Sequence, residues 1–161
     1  MRFDPAGRLE QDDKGSSPVR RESTINALAT GTHAIVVGAY LRSDKAVSEY
    51  SGAGGRATSD GTSPIRSPDV SAVGDESPVH RNLLAAGTRS GSVVTMNGTS
   101  VAAPQVTRLI SELMIAQLAC DRPDVQRIAK TGDTKAPGPG SPLAVRIGAG
   151  RLDRCGRPNR P

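Results

Sequence analysis

The chain contains one long apolar run and one clear helical repeat. Residues 34–40 form a continuous, β-branched apolar stretch, which is typical of a strand covered on both faces of a parallel sheet. From Thr99 to about Ala119, apolar residues recur at spacings of three and four, which predicts an amphipathic helix. The residues in this repeat are Ala102, Val106, Leu109, Leu113 and Ala116. These patterns predict an α/β fold.

Shorter segments predict further elements. Residues 68–74 read as an extended segment or strand that ends at a glycine. Residues 83–86 and 93–96 are short apolar runs separated by a connection rich in Gly and Ser, which predicts a β-hairpin. Residues 143–147 resemble a final strand.

Proline and glycine divide the rest of the chain. Pro123 is expected to stop the long helix and to start a second one that runs to about Lys130. Residues 51–67 and 131–142 are rich in Gly, Ser or Pro and predict surface loops. Residues 1–24 are polar and charged, which indicates an exposed segment with the composition of a disordered region.

The charge of the chain narrows the function classes only slightly. The net charge is +5, but the arginines are scattered except for a basic tail at residues 154–161, and the aromatic content is only 2%. Because few aromatic side chains are available to stack on bases, a nucleic-acid binder is the least favoured class.

Membrane, secretion and metal signals are absent from the sequence pattern. No stretch is apolar for long enough to span a membrane, and no signal peptide is visible, which argues against secretion of the chain as written. The two cysteines, Cys120 and Cys155, have no zinc-ligand spacing, and the sequence does not decide whether they pair. We therefore expect no metal and no cofactor.

The candidate chemistry lies at the start of the long helix. Ser100 follows a predicted strand and Gly98, so it falls where unpaired backbone N–H groups and the helix dipole favour developing negative charge. The N–H of Ser100 could itself donate to an oxyanion. Gly98 would allow a substrate backbone to approach, and Pro104 is expected in the first turn, where a missing N–H costs little. A helix-capping serine is the alternative interpretation.

The residues Gly98-Thr99-Ser100-x-Ala102-x-Pro104 resemble the serine motif of the subtilase family of serine peptidases. A chance match at these five positions in a chain of this length is on the order of 10⁻⁴ at average residue usage. Flanking segments resemble the family in the same order; they are residues 36–39, 48–54, 68–74 and 148–152, with Val73 where the family has a proline.

The resemblance implies a partial subtilisin-like three-layer fold, in which helices flank a parallel sheet and a β-hairpin precedes the serine helix. On this interpretation residues 25–153 are the C-terminal part of a catalytic domain whose N-terminal half is missing. The implied activity is that of a serine endopeptidase that forms an acyl-enzyme on Ser100, with a peptide or protein as substrate. A second chain that supplies the N-terminal half is a further expected partner.

A reactive serine needs a base and a group that orients the base. The family supplies them as Asp-Thr/Ser-Gly and His-Gly-Thr motifs, in that order before the serine. The two histidines, His33 and His80, match neither motif, and Asp4, Asp12 and Asp13 lack the required context. No asparagine fits the family's oxyanion position. The isolated chain is therefore expected to be inactive or incomplete, and the alternative is a non-catalytic remnant or binding piece.

Overall fold

The computed structural model describes residues 23–31, 33–55, 67–118, 121–138, 141 and 143–152. Residues 1–22, the tail at 154–161 and both cysteines lie outside the described residues, so the expectations for them are not addressed. The elements in chain order are a short 3₁₀ helix (Ala27–Thr30), β1 (Val37–Leu41), β2 (Val70–Asp75), β3 (Leu83–Ala86), β4 (Val93–Met96), α1 (Thr99–Ile115), α2 (Arg122–Gly132) and α3 (Ala144–Ile147).

A parallel sheet forms the centre of the fold. Strands β1 and β2 run in parallel with Val37 opposite Val70 and Ala39 opposite Ala72. On the other side of β2, Arg151 forms a parallel bridge with Ser71. The predicted parallel sheet is confirmed, with the chain around Arg151 in the position of a third strand.

The two faces of the sheet are covered differently. Alternating residues of β1 and β2 pack against α1 and α2 in one buried cluster, which comprises Ala39, Val70, Ala72, Ala102, Val106, Val125 and Ala129. On the opposite face, the Ser71 hydroxyl donates to the carbonyl of Ile147 in α3 at 3.0 Å. Because side chains alternate across a strand, this arrangement confirms helices on both sides of the sheet.

The apolar repeat of the long helix is confirmed up to its last residue. Ala102, Val106, Leu109 and Leu113 are buried, whereas Ala116 is exposed because the helix has already ended at Ile115. The amides of Gln117 and Leu118 bond to the carbonyls of Met114 and Leu113 in a Schellman-type ending. Gln117 adopts the left-handed conformation with φ of 55°. No glycine or proline marks this stop, so the sequence pattern overestimated the helix length.

The second helix and the hairpin also follow the prediction. The Asp121 side chain caps α2 by accepting from the amide of Asp124, and proline falls in the first turn. In the hairpin, Leu83 pairs with Met96 and Ala86 with Val93. Leu83 is buried, whereas the rest of the hairpin is exposed or half-buried.

The predicted final strand is wrong. Residues 144–147 form the single helical turn α3, which begins where the Ala144 amide bonds to the carbonyl of Ser141 and ends at Gly148 with φ of 77°. The turn places Ile147 fully in the core and directs Arg146 towards the carbonyls of Ser48 and Ser51. One helical turn thus buries the apolar run against the sheet. The residue that pairs with β2 is Arg151 instead.

The prediction of a surface loop at residues 51–67 is wrong for its first part. Ser51, Ala53 and Gly54 are buried. The Ser51 hydroxyl accepts from the Ala39 amide at 3.0 Å, and the Gly54 amide donates to the carbonyl of Val145 at 2.8 Å. This segment lies between β1 and α3, where small residues allow close backbone approach. Residues 56–66 lie outside the described residues.

Within the described residues, no helix is both long and apolar enough to cross a membrane.

Candidate active site around Ser100

Ser100 lies at the second residue of α1 and is exposed. Two residues, Asn97 and Gly98, separate the end of β4 from the start of the helix. Gly98 occupies the N-cap position with φ of 115° and ψ of 169°, and it provides no side-chain cap. A side chain added at Gly98 would meet only the Ser100 amide nitrogen, 3.8 Å away, so the glycine is required by its positive φ rather than by crowding.

The first turn of α1 leaves donors available. The Gly98 carbonyl accepts from the amides of Val101 at 3.0 Å and Ala102 at 3.3 Å. In the described part of the chain, the amide of Ser100 has no acceptor. A helix N-terminus with free N–H groups carries partial positive charge, and it stabilises an anion placed beside it.

Pro104 has a different role from the one expected. It is the sixth residue of α1, inside the helix rather than in its first turn. Because proline has no N–H, the carbonyl of Ser100 loses the donor that position 104 would otherwise supply. An interior proline typically costs about 3 kcal/mol or more. Neither the amide nor the carbonyl of Ser100 therefore takes part in the regular hydrogen bonds between residues four apart in the helix.

A series of hydrogen-bonded polar groups lies behind the serine loop, which is the segment of residues 97–100 that leads from β4 into α1. The amide of Gly98 donates to the Tyr50 hydroxyl at 3.1 Å and to the carbonyl of Gly74 at 3.3 Å. The Tyr50 hydroxyl donates in turn to Oδ2 of Asp75 at 2.5 Å. Asp75 is 2% exposed, so a nearly buried carboxylate at the end of β2 is connected to the N-cap of the serine helix through one hydroxyl.

The environment of Tyr50 keeps its hydroxyl neutral. Burial raises the pKa of Tyr50 to about 12, and the hydrogen bond to Asp75 adds to the increase. The neighbouring Ser48 side chain and the Gly98 amide act in the opposite direction, but they do not outweigh burial and the carboxylate. At neutral pH the phenol therefore stays protonated and remains a donor to Asp75.

The family model of the subtilase family matches residues 11–148. The chain belongs to the subtilase family. No curated protein and no solved structure matches the sequence. Subtilases are serine peptidases, so the match indicates a serine peptidase at the family level.

Ser100 is the residue that the sequence predicts as nucleophile, and in the structure it lies at the start of α1, just after the β3–β4 hairpin. The N-cap of α1 is Gly98, and no side chain caps the helix, so the structure does not support the alternative of a helix-capping serine at Ser100. The role of Ser100 in catalysis remains a prediction.

Neither histidine reaches the serine in the described residues. His33 precedes β1 by four residues and is exposed. His33 therefore lies near the amino end of the parallel strands. Gly98, close to Ser100, lies near their carboxyl end, where its amide bonds to the carbonyl of Gly74. His80 lies in the exposed segment after β2, where its amide donates to the Ser77 hydroxyl at 2.9 Å. Neither imidazole is hydrogen-bonded to Ser100.

The other subtilase groups are not found among the described residues either. Asn26 caps the 3₁₀ helix by accepting from the amide of Leu28 at 2.9 Å, so it is already used for local structure. Asp4, Asp12 and Asp13 lie outside the described residues. Within the described residues, no three His, Cys, Asp or Glu side chains are grouped to hold a metal ion.

The sequence interpretation missed three residues that support the serine loop, namely Tyr50, Asp75 and Gln105. Gln105 donates from Nε2 to the carbonyls of Val73 at 2.7 Å and Val101 at 3.0 Å. An acidic residue directly after Gly74, at the end of a strand buried on both faces, was the available signal for Asp75. Nothing in the sequence pattern connects Tyr50 to Gly98, because 48 residues separate them.

Proposed function

We propose that this chain supplies the nucleophile of a subtilisin-like serine endopeptidase, with Ser100 as the acylated residue. The observation that carries the proposal is the position of Ser100, exposed in the first turn of α1 with an amide that has no acceptor in the described part of the chain. Family membership over residues 11–148 supports the same role.

In the proposed reaction, the Ser100 Oγ attacks the carbonyl carbon of a peptide bond, and its proton passes to a base. The carbonyl oxygen becomes an oxyanion, and the Ser100 amide is oriented as one donor to it. Collapse of the intermediate expels the amine of the leaving peptide, which takes up the proton. Water then hydrolyses the acyl-enzyme and regenerates the hydroxyl.

The base and its orienting carboxylate must come from outside the described residues. The nucleophile, the base and the orienting group act as a unit, so a serine without the other two has little activity. We therefore propose that the isolated chain is incomplete and that a segment with Asp-Thr/Ser-Gly and His-Gly-Thr motifs completes the site.

Exposed apolar surface supports a completing partner. Large apolar side chains are exposed on the hairpin and at the end of α1, namely Leu84, Val93, Val94, Met96, Met114, Ile115 and Leu118. Contiguous apolar surface marks interaction sites, and a second segment bound here would cover these side chains. If the purified chain is a monodisperse monomer that binds no hydrophobic dye, this part of the proposal fails.

The function is tested with a serine-directed fluorophosphonate probe. The DNA before the codon of Met1 is translated in all frames, and any segment with the two motifs is produced together with the 161-residue chain. We expect labelling that maps to Ser100 by mass spectrometry and disappears in Ser100→Ala. A completed protein whose Ser100 remains unlabelled would refute the peptidase proposal.

A non-catalytic remnant is the second candidate. It is favoured by the lack of both partner motifs in the sequence. An upstream sequence that encodes neither motif in any frame, together with an unlabelled chain, is the outcome this candidate predicts. Labelling of Ser100 in any form of the protein would exclude it.

A further inference from the structure

Two polar groups, the Tyr50 hydroxyl and the Gly98 carbonyl, lie close to Gly74. A Cβ atom at Gly74 would lie 2.7 Å from the Tyr50 hydroxyl and 3.3 Å from the carbonyl oxygen of Gly98. Both distances are shorter than ordinary van der Waals contacts. The missing side chain at Gly74 therefore leaves room for Tyr50 to reach Gly98.

The hydrogen bonds in this group can run in only one direction. The Gly98 amide can only donate, and an ionised carboxylate can only accept. The Tyr50 hydroxyl must therefore accept from Gly98 and donate to Asp75. A phenol that donates to a carboxylate becomes a better acceptor, so Asp75 strengthens the bond between Tyr50 and Gly98.

Asp75 is costly to keep as a purely structural residue. Its side chain is nearly buried, and its Oδ1 atom has no hydrogen-bond partner among the described residues. Burying a carboxylate with an unsatisfied oxygen destabilises a fold. The bond from Tyr50 is the side-chain contact that offsets this cost.

Gly98 depends on this contact because it has no cap of its own. Its φ of 115° is unusual, and its carbonyl receives the first two bonds of α1 from Val101 and Ala102. The orientation of Gly98 therefore sets the direction in which the helix starts. Ser100 lies two residues further on.

We propose that Tyr50 and Asp75 are positioning residues that hold Gly98 and, through it, the first turn of α1 with Ser100. This inference rests on the proposed function for its effect on reactivity, but the effect on Gly98 is independent of that function. Tyr50 acts directly on the Gly98 amide, and Asp75 acts through Tyr50.

The first test is amide hydrogen exchange in the complete 161-residue chain. In Tyr50→Phe, exchange at Gly98 is expected to become faster by about fivefold, which corresponds to one ordinary hydrogen bond. Protection is not lost entirely, because the Gly74 carbonyl still accepts at 3.3 Å. The matched control is Tyr40→Phe, which removes a buried hydroxyl that donates to the carbonyl of Leu152.

Substitutions at Asp75 separate positioning from packing. Asp75→Asn keeps an oxygen that can accept from Tyr50, whereas Asp75→Leu keeps a similar volume and has no acceptor. We expect Asn to retain most of the Gly98 protection and Leu to reduce it by no more than the roughly fivefold expected for Tyr50→Phe. Equal exchange at Gly98 in the Asn and Leu variants, or in Tyr50→Phe and Tyr40→Phe, would overturn the inference whether or not Ser100 is reactive.

The second test measures fluorophosphonate labelling of Ser100 in the completed protein. Tyr50→Phe is expected to slow labelling by about fivefold, with Asp75→Asn closer to the unsubstituted protein and Tyr40→Phe unchanged. Unchanged labelling in Tyr50→Phe would overturn the positioning role and leave the peptidase proposal intact. An unlabelled Ser100 in every form would refute the peptidase proposal, and the exchange result would still decide the role of Tyr50.

Discussion

The side-chain amide of Gln105 donates to the carbonyl of Val73 at 2.7 Å, which joins the second turn of α1 to β2. The same nitrogen donates to the carbonyl of Val101, 3.0 Å away. Val73 is 3% exposed, so its carbonyl has little access to water as an alternative donor. Gln105 thus fixes the serine helix on the strand that ends at Asp75.

Replacing Gln105 with leucine is expected to destabilise the chain by about 1–3 kcal/mol, because a nearly buried carbonyl loses its donor. The measurement is urea unfolding followed by circular dichroism. The control is Ser111→Ala on the same helix, an exposed residue whose hydroxyl bonds only to the carbonyl of Thr107. A Gln105→Leu chain no less stable than Ser111→Ala would contradict this role.

The predicted elements were most accurate where local chemistry decides the structure. The hairpin strands and the start of α1 were predicted from turn residues and apolar spacing, and their bounds agree with the structure. Ile147 shows the limit of this approach. Its apolar run fits a strand or a buried helical turn equally well, and the contact of its carbonyl with the Ser71 hydroxyl appears only in the folded chain.

The candidate site was predictable only in part. Ser100 could be predicted as a nucleophile because its motif is continuous in sequence. Tyr50 and Asp75 reach Gly98 from two other segments of the chain, and their roles depend on distances that appear only after folding. Pro104 was wrongly expected in the first turn, because it is the sixth residue of a helix whose start at Thr99 was predicted correctly.

The apolar stripe of α1 makes a direct prediction about stability. Leu109 is 2% exposed in the core, whereas Ile115 is 84% exposed at the end of the same helix. Leu109→Ala is expected to cost about 2–5 kcal/mol through lost burial and a cavity. Ile115→Ala should change the free energy of unfolding by less than about 0.5 kcal/mol in the isolated chain. Similar losses for both substitutions would show that Ile115 is covered in solution.

A buried ion pair holds the chain around Arg151 against α2. Oδ2 of Asp133 accepts from both the amide and Nη1 of Arg151, at 3.0 and 2.9 Å. Both side chains are at least nine-tenths buried. Removing one partner strands a buried charge, so Asp133→Ala is expected to cost about 3–5 kcal/mol.

The comparison for Asp133 is the exposed pair of Arg108 and Glu112 on α1, with a separation of 2.8 Å. Glu112→Gln should cost about 0.5 kcal/mol or less, because solvent screens an exposed pair. High salt is expected to reduce the effect of Glu112→Gln further and to leave that of Asp133→Ala nearly unchanged. Equal losses of stability in thermal unfolding for Asp133→Ala and Glu112→Gln would show that burial does not distinguish the two ion pairs.

The raised pKa of Tyr50 predicts a specific pH dependence. The chain has two tyrosines and no tryptophan. In a Tyr40→Phe background, the near-ultraviolet absorbance of tyrosinate therefore reports Tyr50 alone. We expect its midpoint at about pH 12 in the folded chain, since burial and the Asp75 carboxylate both oppose ionisation. Asp75→Asn should move the midpoint down towards the ordinary value of about 10.

The sign of the stability change follows from the direction of this shift. The folded state holds the Tyr50 proton more tightly than the unfolded state. The phenol therefore makes its full contribution to the stability of the folded chain below about pH 10. It is then lost as the pH rises towards about 12. In Tyr50→Phe this part of the pH dependence should be absent from urea unfolding curves. A Tyr50 midpoint at the ordinary value in the folded chain would show that its hydroxyl is not held by Asp75.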